Sequence, residues 1–146
     1  MLEVFRLDDH WAAELYKFLV ANKDSGGVSL VGKRDVFLMP PNGLAIACTE
    51  NKRLKQVLLC EFINNKAYTR GIIGSFGDYT VDVLDGLCAI CSSNEPMIVD
   101  HEIVIIPKYV EDFKLVWSKS RLGRMTEESS WKGAFFFKAT IKYPSL

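Results

Sequence analysis

The longest run of β-branched and aliphatic residues in the chain is Met97–Ile106, which is closed by Pro107. This run predicts a strand, and because it is apolar at most positions, it predicts a strand covered on both faces at the centre of a sheet. Asp100, His101 and Glu102 interrupt the apolar run, and His101 is one of two histidines in the chain. The search for reactive groups therefore starts at this polar interruption.

Composition limits the classes of protein to consider. The chain has 146 residues, of which 49% are hydrophobic and 25% charged, which predicts a single domain spanning 1–146. Eighteen basic and eighteen acidic residues cancel, which argues against binding to nucleic acid or to an anionic membrane. The first residues lack the basic and apolar segments typical of a signal peptide, and no apolar run approaches the roughly 20 residues that span a bilayer. We expect a soluble protein, in the cytoplasm or in a soluble assembly such as a virion.

The four cysteines lie in apolar stretches, where a reduced cysteine behaves as a small hydrophobic residue. They are Cys48, Cys60, Cys88 and Cys91. Cys88 and Cys91 form a C-x-x-C, which is compatible with half of a zinc site or with a redox pair. A zinc site needs two further ligands at turn spacing, and Cys48 and Cys60 are each alone in a predicted strand. We therefore interpret the cysteines as core residues and predict no metal, while a redox role for the pair stays open.

Turn residues divide the rest of the chain into short elements. The predicted strands are Leu2–Leu7, Val36–Met39, Leu44–Thr49, Val57–Ile63, Ala67–Ile73, Asp78–Leu84, Leu87–Cys91 and Phe135–Tyr143. Two helices are predicted, one from Asp8 or Asp9 to Ser25-Gly26-Gly27 and one over Tyr109–Ser120.

The predicted connections set the fold class. Pro40-Pro41-Asn42-Gly43 and Asn64-Asn65-Lys66 predict hairpin turns, whereas Lys52–Lys55 is compatible with a turn or a short helix. Regular turns after Val28 predict an antiparallel meander without crossovers. The predicted fold is a single α+β domain, with a mainly antiparallel sheet of six to seven strands and two principal helices.

Glycines recur at Gly71, Gly74 and Gly77, a G-x-x-G-x-x-G spacing that invites comparison with phosphate-binding loops. The spacing matches neither the dinucleotide fingerprint nor the P-loop. Glycines at the end of a strand more often mark a bulge or a tight turn, and that is the interpretation adopted.

His101 and Glu102 are the candidate catalytic residues, because an imidazole or a carboxylate in a buried strand can have its pKa moved by burial and by its neighbour. Alternation along a strand sends the two side chains to opposite faces, so they share a pocket only if a bulge intervenes. The alternative interpretation is a structural polar cluster.

The order of elements resembles the fold of the GCN5-related N-acetyltransferase (GNAT) family. Val4–Leu7 with Asp8-Asp9 resembles the opening strand and first helix of that family, and Glu102–Pro107 resembles its central strand. Leu122-Gly123 followed by Gly133–Lys142 resembles its closing leucine-glycine pair and last strand.

The resemblance implies an acetyl-CoA site. It implies that Glu102 is the general base and that the cofactor is bound by the backbone of Ile103, Val104, Ile105 and Ile106, together with Lys108. The family's Arg/Gln-x-x-Gly-x-Gly/Ala loop, which binds pyrophosphate through backbone N–H groups, is expected after Pro107. The chain instead has Lys108–Phe113 there, with no glycine and with two acidic residues. This departure predicts a degenerate GNAT-like domain, of the kind found among bacteriophage proteins.

Two functions follow, and the sequence leaves open whether the protein is an enzyme. The first is a non-catalytic assembly or interaction protein, such as a phage structural or accessory protein, which binds no cofactor. It would contact a protein partner or a second copy of itself through strand edges or apolar patches. The alternative is an acyl-CoA-dependent N-acyltransferase that uses Glu102 as general base and acetyl-CoA as acyl donor.

Overall fold

A computed structural model describes residues 2–22, 43–74, 76–92, 100–105, 107–132 and 136–143. Within these ranges the chain forms one sheet and four α-helices. The strands are β1 (Leu2–Arg6), β2 (Gly43–Glu50), β3 (Arg53–Ile63), β4 (Lys66–Ile73), β5 (Asp100–Val104), β6 (Thr126–Lys132) and β7 (Phe136–Ile141). The helices are α1 (Ala12–Ala21), α2 (Asp78–Ser92), α3 (Val110–Lys119) and α4 (Arg121–Arg124).

The seven described strands lie in the order β1-β2-β3-β4-β5-β7-β6. Every neighbouring pair is antiparallel except β4 and β5, which are parallel. The predicted fold class, α+β with a mainly antiparallel sheet of about seven strands, is confirmed. The predicted interior position of the apolar strand is also confirmed, because β5 lies between β4 and β7. The prediction that this strand is covered on both faces is wrong for its described part, because Asp100, Glu102 and Val104 are only partly buried, whereas His101 and Ile103 are buried. Met97–Val99 and Ile106 of the predicted strand lie outside the described residues.

The prediction of strands over Asp78–Leu84 and Leu87–Cys91 is wrong, because this segment is the helix α2. Its buried residues recur at helical spacing, and alternation at Tyr79, Val81 and Val83 had masked that period. They are Thr80, Val83, Leu84, Leu87, Cys88 and Cys91. Parallel neighbours need a crossover connection, and α2 lies in the connection from β4 to β5. The predicted meander without crossovers therefore fails at this point, and the chain has a third long helix.

Helices lie on both faces of the sheet, and α1 covers only part of its face. Leu15 and Leu19 of α1 belong to one buried cluster with residues of β2 and β3. Residues of α2 and α3, Phe113 among them, belong to the other cluster, which also contains Ile103 of β5. The helices α2 and α3 therefore cover the face of the sheet on which the side chain of Ile103 lies.

The four cysteines are buried free thiols, as the composition of their surroundings predicts. Burial raises the pKa of each thiol, in Cys91 to about 12. Thiols with such pKa values stay protonated and unreactive near neutral pH. Within the described residues, no group of three or more His, Cys, Asp or Glu side chains is placed to hold a metal ion.

The helices that flank the sheet begin close to where the sequence predicts. The Asp8 side chain accepts a hydrogen bond from the backbone N–H of His10, 3.0 Å away, and a single 3₁₀ turn leads into α1. The helix α1 ends at Ala21, and the predicted stop at Ser25-Gly26-Gly27 lies outside the described residues. The predicted helix Tyr109–Ser120 is confirmed as α3. None of the helices in the described ranges has the length and hydrophobicity needed to cross a membrane.

Two of the predicted turns concern hairpins. The β3–β4 hairpin is confirmed, with Asn64 at a φ of 57° in its turn. The predicted hairpin of Val36–Met39 with Leu44–Thr49 through Pro40-Pro41-Asn42-Gly43 falls mostly outside the described residues. The segment Lys52–Lys55, for which the sequence left a turn or a helix open, contains a turn residue followed by the start of β3.

The β2–β3 turn contains a lysine in a backbone conformation that favours glycine. Asn51 has a φ of 52° and Lys52 a φ of 65°, as in the two-residue hairpin turns for which Asn-Gly is preferred. A side chain in this region is strained, so Lys52→Gly is expected to raise the free energy of unfolding by about 0.5–1 kcal/mol. Urea denaturation measures the change, and Lys55→Gly within β3 is the control, expected to lower stability. A loss of stability in Lys52→Gly would contradict the strain.

Candidate active site

The two parallel strands at the centre of the sheet separate before they end. Pairing of β4 with β5 runs from Lys66 opposite Asp100 to Thr69 opposite Ile103. Beyond that level, Gly71–Ile73 pair with β3, while Val104 pairs with β7. The ladder between β4 and β5 therefore opens after Thr69 and Ile103. Among the residues that the structure describes, the strand backbone beyond this level has no ladder partner on the side that faces the opening.

A bulge in β4 lies at the same level and gives the physical reason for the opening. Leu59 of β3 is opposite Gly71, whereas the next residue, Cys60, is opposite Thr69. Arg70 is thus one extra backbone residue in β4. A bulge bends its strand and increases the local twist, so β4 turns away from β5 from Arg70 onward.

Two helix N-termini follow the strands that separate. The helix α2 begins after β4 and α3 begins after β5, so both lie at the carboxyl ends of parallel strands, the usual location of ligand sites in such sheets. The glycines of the G-x-x-G-x-x-G run lead into α2. Gly71 follows the bulge residue, and Gly74 has a φ of 106°, which agrees with the interpretation of these glycines as bulge and turn residues.

The charges at these two N-termini disfavour a phosphate group. Asp78 is exposed in the first turn of α2, and Glu111 and Asp112 are exposed in the first turn of α3. The N–H of Gly77 already donates to the Thr80 hydroxyl, 3.0 Å away. Carboxylates stabilise a helix N-terminus, but the same carboxylates repel an anionic ligand. Both helix N-termini therefore carry acidic residues, Glu111 and Asp112 at the start of α3 and Asp78 at the start of α2.

An aromatic contact joins the segments that follow β4 and β5. The ring of Phe76, before α2, lies edge-on to Tyr109, with centroids 5.4 Å apart, and contacts Phe113 at 6.1 Å. The ammonium group of Lys108 lies 5.0 Å from the centroid of the Tyr109 ring. These contacts link the start of α2 with the start of α3 at the end of the sheet where β4 and β5 separate.

His101 is fully buried on the face of β5 covered by α2 and α3. Its Nε2 lies 2.7 Å from the hydroxyl oxygen of Thr69, and among the described residues its Nδ1 has no hydrogen-bond partner. Burial lowers the pKa of His101 to about 3, so the imidazole is neutral near pH 7. A neutral imidazole with such a low pKa is a weak general base.

Glu102 lies on the opposite face of β5, as strand alternation predicts. Glu102 is opposite Tyr68 of β4, one residue before β4 and β5 separate. Its carboxylate is 3.8 Å from the ammonium group of Lys138 on β7, and its side chain is 28% exposed. Glu102 is therefore an oriented, solvent-accessible carboxylate beside the opening between β4 and β5.

The face that carries Glu102 is polar and continues into a surface cavity of about 250 Å³. The cavity is lined by Asp100, Glu128, Ser129, Ser130, Lys138 and Thr140. Its carboxylates and hydroxyl groups accept hydrogen bonds, so a polar amine is a suitable occupant of this face.

The structure brings together some of the sequence-predicted site residues and separates others. Ile103, Val104 and Ile105 lie at the opening, with the side chains of Ile103 and Ile105 fully buried. Ile106 lies outside the described residues, and Lys108 is exposed at the start of the helical segment after β5. His101 and Glu102 are adjacent in sequence but do not share a pocket. No observation here tests the predicted catalytic and cofactor-binding roles, which stay predictions.

Sequence reasoning missed Thr69 and Thr80. Nothing in the sequence marks Thr69 as a partner of His101, because the contact depends on the register of β4 against β5. Thr80 had an available signal, since it begins the helical period of α2. The sequence shows the residue types, but it does not show how the strands that carry them pair.

The buried neutral histidine predicts a loss of stability in acid. Because the folded pKa of about 3 is below the ordinary value of 6.5, His101 contributes stability that is fully present above pH 6.5 and is lost as the pH falls towards 3. The loss is about 1.4 kcal/mol per pH unit, or about 2 kcal/mol at pH 5. Urea denaturation at pH 7 and pH 5 measures it, with the double variant Thr69→Val/His101→Leu as control. An equal acid loss in both proteins would contradict the prediction.

Several solved structures with a similar fold are acetyltransferases. A GNAT-family acetyltransferase from Streptococcus pneumoniae has a TM-score of 0.70 at 11% identity, covering 97% of this chain and 100% of that chain. An N-acetyltransferase from Staphylococcus aureus has a TM-score of 0.68 at 12% identity, covering 98% and 97%. The PaiA N-acetyltransferase from Thermoplasma acidophilum, solved in complex with coenzyme A, has a TM-score of 0.62 at 11% identity, covering 97% and 99%.

The likeness lies in structure and not in sequence. No family sequence profile matches the chain, and no curated protein sequence matches it. Bacteriophage origin and degeneracy of the domain stay predictions. The resemblance to the GNAT family inferred from the sequence is confirmed at the level of architecture: the chain has the GNAT-like fold of these acetyltransferases.

Proposed function

We propose that the chain is an acyl-CoA-dependent N-acyltransferase. The observation that carries this proposal is the opening of the ladder between β4 and β5 after Thr69 and Ile103, at the level of the Arg70 bulge. An extended acyl-pantetheine arm has amide groups that can pair with strand backbone, and an opened parallel ladder offers such groups without a competing strand. Neighbours in fold that act on acetyl groups support the same interpretation.

The chain's own residues supply the remaining parts of the reaction. Backbone groups of Ile103–Ile105 hold the acyl donor, and Glu102 accepts a proton from an amine on the polar face of the sheet. The amine nitrogen would then bond to the thioester carbonyl carbon of the donor, and the carbon–sulfur bond would break, with the second proton lost by the nitrogen going to the leaving sulfur. Lys138 keeps the Glu102 carboxylate in place through its 3.8 Å ion pair.

Thermal unfolding with and without acetyl-CoA tests the proposal. A ligand at about 100 times its Kd stabilises the native state by about 2.7 kcal/mol, which raises Tm by several degrees in a domain of this size. Release of free thiol with a panel of primary amines then tests for turnover. No rise in Tm at millimolar acetyl-CoA would overturn the proposal.

Asp78 provides a prediction with two opposite effects. Asp78→Asn removes a carboxylate from the start of α2, so we expect the free energy of unfolding to fall by about 0.3–1 kcal/mol. Because the same change removes a charge that repels the phosphates of CoA, we expect acetyl-CoA to bind about three- to tenfold more tightly. Urea denaturation and calorimetric titration measure the two effects, and Asp82→Asn, one turn further along α2, is the control. Unchanged or weaker binding would contradict repulsion between the Asp78 carboxylate and the phosphates of CoA.

We propose as a second candidate a non-catalytic interaction protein that binds no cofactor. The acidic residues at both helix N-termini favour it because they disfavour a phosphate group. The Phe76–Tyr109 contact also favours it, because it links the starts of α2 and α3 at the end of the sheet where β4 and β5 separate. Its partner would be another protein or a second copy of the chain. The two candidates predict different results. The interaction protein shows no Tm shift with acetyl-CoA and a mass in solution above that of a monomer, whereas the enzyme shows the Tm shift.

A further inference from the structure

The edge strand β6 carries two exposed charges of opposite sign on its polar face. β6 is the last of the seven strands, with β7 on one side and, among the described residues, no strand on the other. Glu128 and Lys132 are exposed, and within the described part of the chain neither is in an ion pair. They are about 13 Å apart along the strand, so they cannot pair with each other.

A bulge limits the part of β6 that can pair with another strand. The register of β6 against β7 contains one extra residue, Glu127, and a bulge bends its strand and turns the edge away from a new neighbour. The Glu127 carboxylate is also paired already with Lys142, 3.7 Å away. The regular outer edge of β6 therefore runs from Glu128 to Lys132, and Ser130 is its midpoint.

Two copies of this edge match each other when Ser130 lies on a two-fold axis. In an antiparallel pair related by such an axis, residues that lie opposite each other are equally far from the residue on the axis. With Ser130 on the axis, Glu128 lies opposite the partner's Lys132, and Lys132 lies opposite the partner's Glu128. With Glu128 or Lys132 on the axis, like charges would meet. With Ser129 or Trp131 on the axis, neither charge would face its opposite.

The helix-side face of β6 is matched in size in the same register. The ring of Trp131 stacks on Phe137 with centroids 4.3 Å apart, and it stays partly exposed at the edge of the sheet. Across the two-fold axis it would lie opposite Ser129 of the partner, whose small side chain leaves room for the indole ring. The pairing therefore covers apolar surface as well as matching charges.

The other edge of the sheet does not have this complementarity. With Val4 at the midpoint of β1 on a two-fold axis, Glu3 would face Phe5 of the second copy and not a basic residue. The guanidinium group of Arg6 already donates to a backbone carbonyl oxygen of β2, 3.3 Å away. Charge complementarity therefore selects β6 and not β1.

We propose that two copies of the chain pair through β6 about a two-fold axis at Ser130, which joins their sheets into one continuous antiparallel sheet. Backbone hydrogen bonds along Glu128–Lys132 and two opposite-charge pairs stabilise the dimer. The partner's Lys132 then lies at the rim of the polar cavity, because Glu128 lines that cavity and side chains directly opposite each other are about 4.5–5.5 Å apart. This inference is independent of which of the two candidate functions holds.

Sedimentation equilibrium of the full chain, from micromolar to millimolar concentration, tests the proposal. We expect a dimer whose dissociation constant rises with salt concentration. Glu128→Lys and Lys132→Glu each replace two opposite-charge pairs with two like-charge pairs, so each is expected to weaken the dimer about tenfold or more. The double variant Glu128→Lys/Lys132→Glu restores both pairs and is expected to dimerise like the unaltered chain. Glu3→Lys makes the same change of charge on β1 and is expected to have no effect.

Cysteine cross-linking tests the register. The two copies of residue 130 face each other across the axis, so Ser130→Cys is expected to form an intermolecular disulfide on mild oxidation. The control is Ser129→Cys, whose two thiols lie diagonally, about 7–8 Å apart, which is too far for a disulfide. The four cysteines of the chain are buried and do not compete.

Three results would overturn the proposal. The first is a monomer at every concentration, and the second is a dimer that Glu128→Lys does not weaken or that the double variant does not restore. The third is equal cross-linking of Ser130→Cys and Ser129→Cys. Each variant changes an exposed side chain of an edge strand, so the fold is expected to tolerate all of them.

Discussion

Replacing Gly123 by alanine is expected to cost the protein about 3 kcal/mol or more of its free energy of unfolding. A Cβ atom at this position would overlap the carbonyl oxygen of Trp117 and lie 3.2 Å from Cα of Ser118. Both neighbours belong to the backbone of the last turn of α3, so no change of side-chain rotamer relieves the overlap. The corner between α3 and α4 would have to open.

The corner cannot open without losing its hydrogen bonds. Ser120 is buried between the two helices, where its hydroxyl donates to the carbonyl oxygen of Trp117, 2.7 Å away, and accepts from the N–H of Gly123 at 3.1 Å. Trp117 and Leu122 on either side belong to the core beneath. The leucine-glycine pair that resembles the GNAT family therefore has a physical reason in this chain: leucine fills the core, and glycine lets α4 fold back onto α3.

Urea or thermal unfolding of Gly123→Ala measures the loss. The control is Gly86→Ala, at a glycine where an added Cβ meets only side chains. Gly86 lies in the middle of α2, where an added Cβ meets a Val4 methyl group at 3.3 Å and an Ile46 methyl group at 3.7 Å. Alanine there gains up to about 1 kcal/mol of helix propensity, which offsets the tight contact. We expect Gly86→Ala to be within about 1 kcal/mol of the unaltered protein. Equal stability of the two variants would contradict the close approach at Gly123.

The parts of the fold that the sequence predicts well are those where one periodicity dominates. Val110, Phe113 and Trp117 recur at helical spacing with charged residues opposite, and they form the buried face of α3. The C-terminal strand alternates strictly, and β7 has Phe137, Ala139 and Ile141 buried. In such segments the hydrophobic pattern and the secondary structure agree, so the sequence alone is sufficient to predict the element and its buried face.

The error at α2 arose where two periods coincide. Tyr79, Val81 and Val83 alternate with polar residues at the start of the helix, and Asp85-Gly86 looks like a turn, although Gly86 lies within the helix. The longer helical period becomes clear only when the segment is taken through to Cys91. Missing α2 also hid the parallel pairing of β4 with β5, and therefore the opening on which the candidate site depends.

The candidate site was predictable in residue type but not in arrangement. The position of Glu102 on a central strand, and its separation from His101, follow from strand alternation. The opening of the ladder follows from the Arg70 bulge. Gly71 marks a bulge or a tight turn in the sequence, but the effect of the bulge on β5 depends on how β3 pairs with β4, which the sequence does not reveal. Tertiary register, not local pattern, decides which polar residues lie beside the gap.

Replacing Glu102 by glutamine is expected to lower kcat by about 10²–10⁴-fold, the usual contribution of a general base. Glutamine has nearly the same shape and retains a hydrogen-bonding carbonyl, but it cannot accept the proton that the attacking amine must lose. The ion pair with Lys138 is partly exposed, so its loss changes stability by less than about 1 kcal/mol. A fall in kcat with an unchanged Tm therefore separates a catalytic role from a structural one.

The affinity for acetyl-CoA provides the second readout for Glu102, because a general base acts on the amine and not on the acyl donor. Acetyl-CoA binding by Glu102→Gln should stay within about threefold of that of the unaltered protein, since the proposed acyl-donor contacts are backbone groups of β5. Glu3→Gln is the matched control, because Glu3 is an exposed carboxylate on the edge strand β1, four strands away from β5. Turnover by Glu102→Gln at the rate of Glu3→Gln would contradict the general-base role.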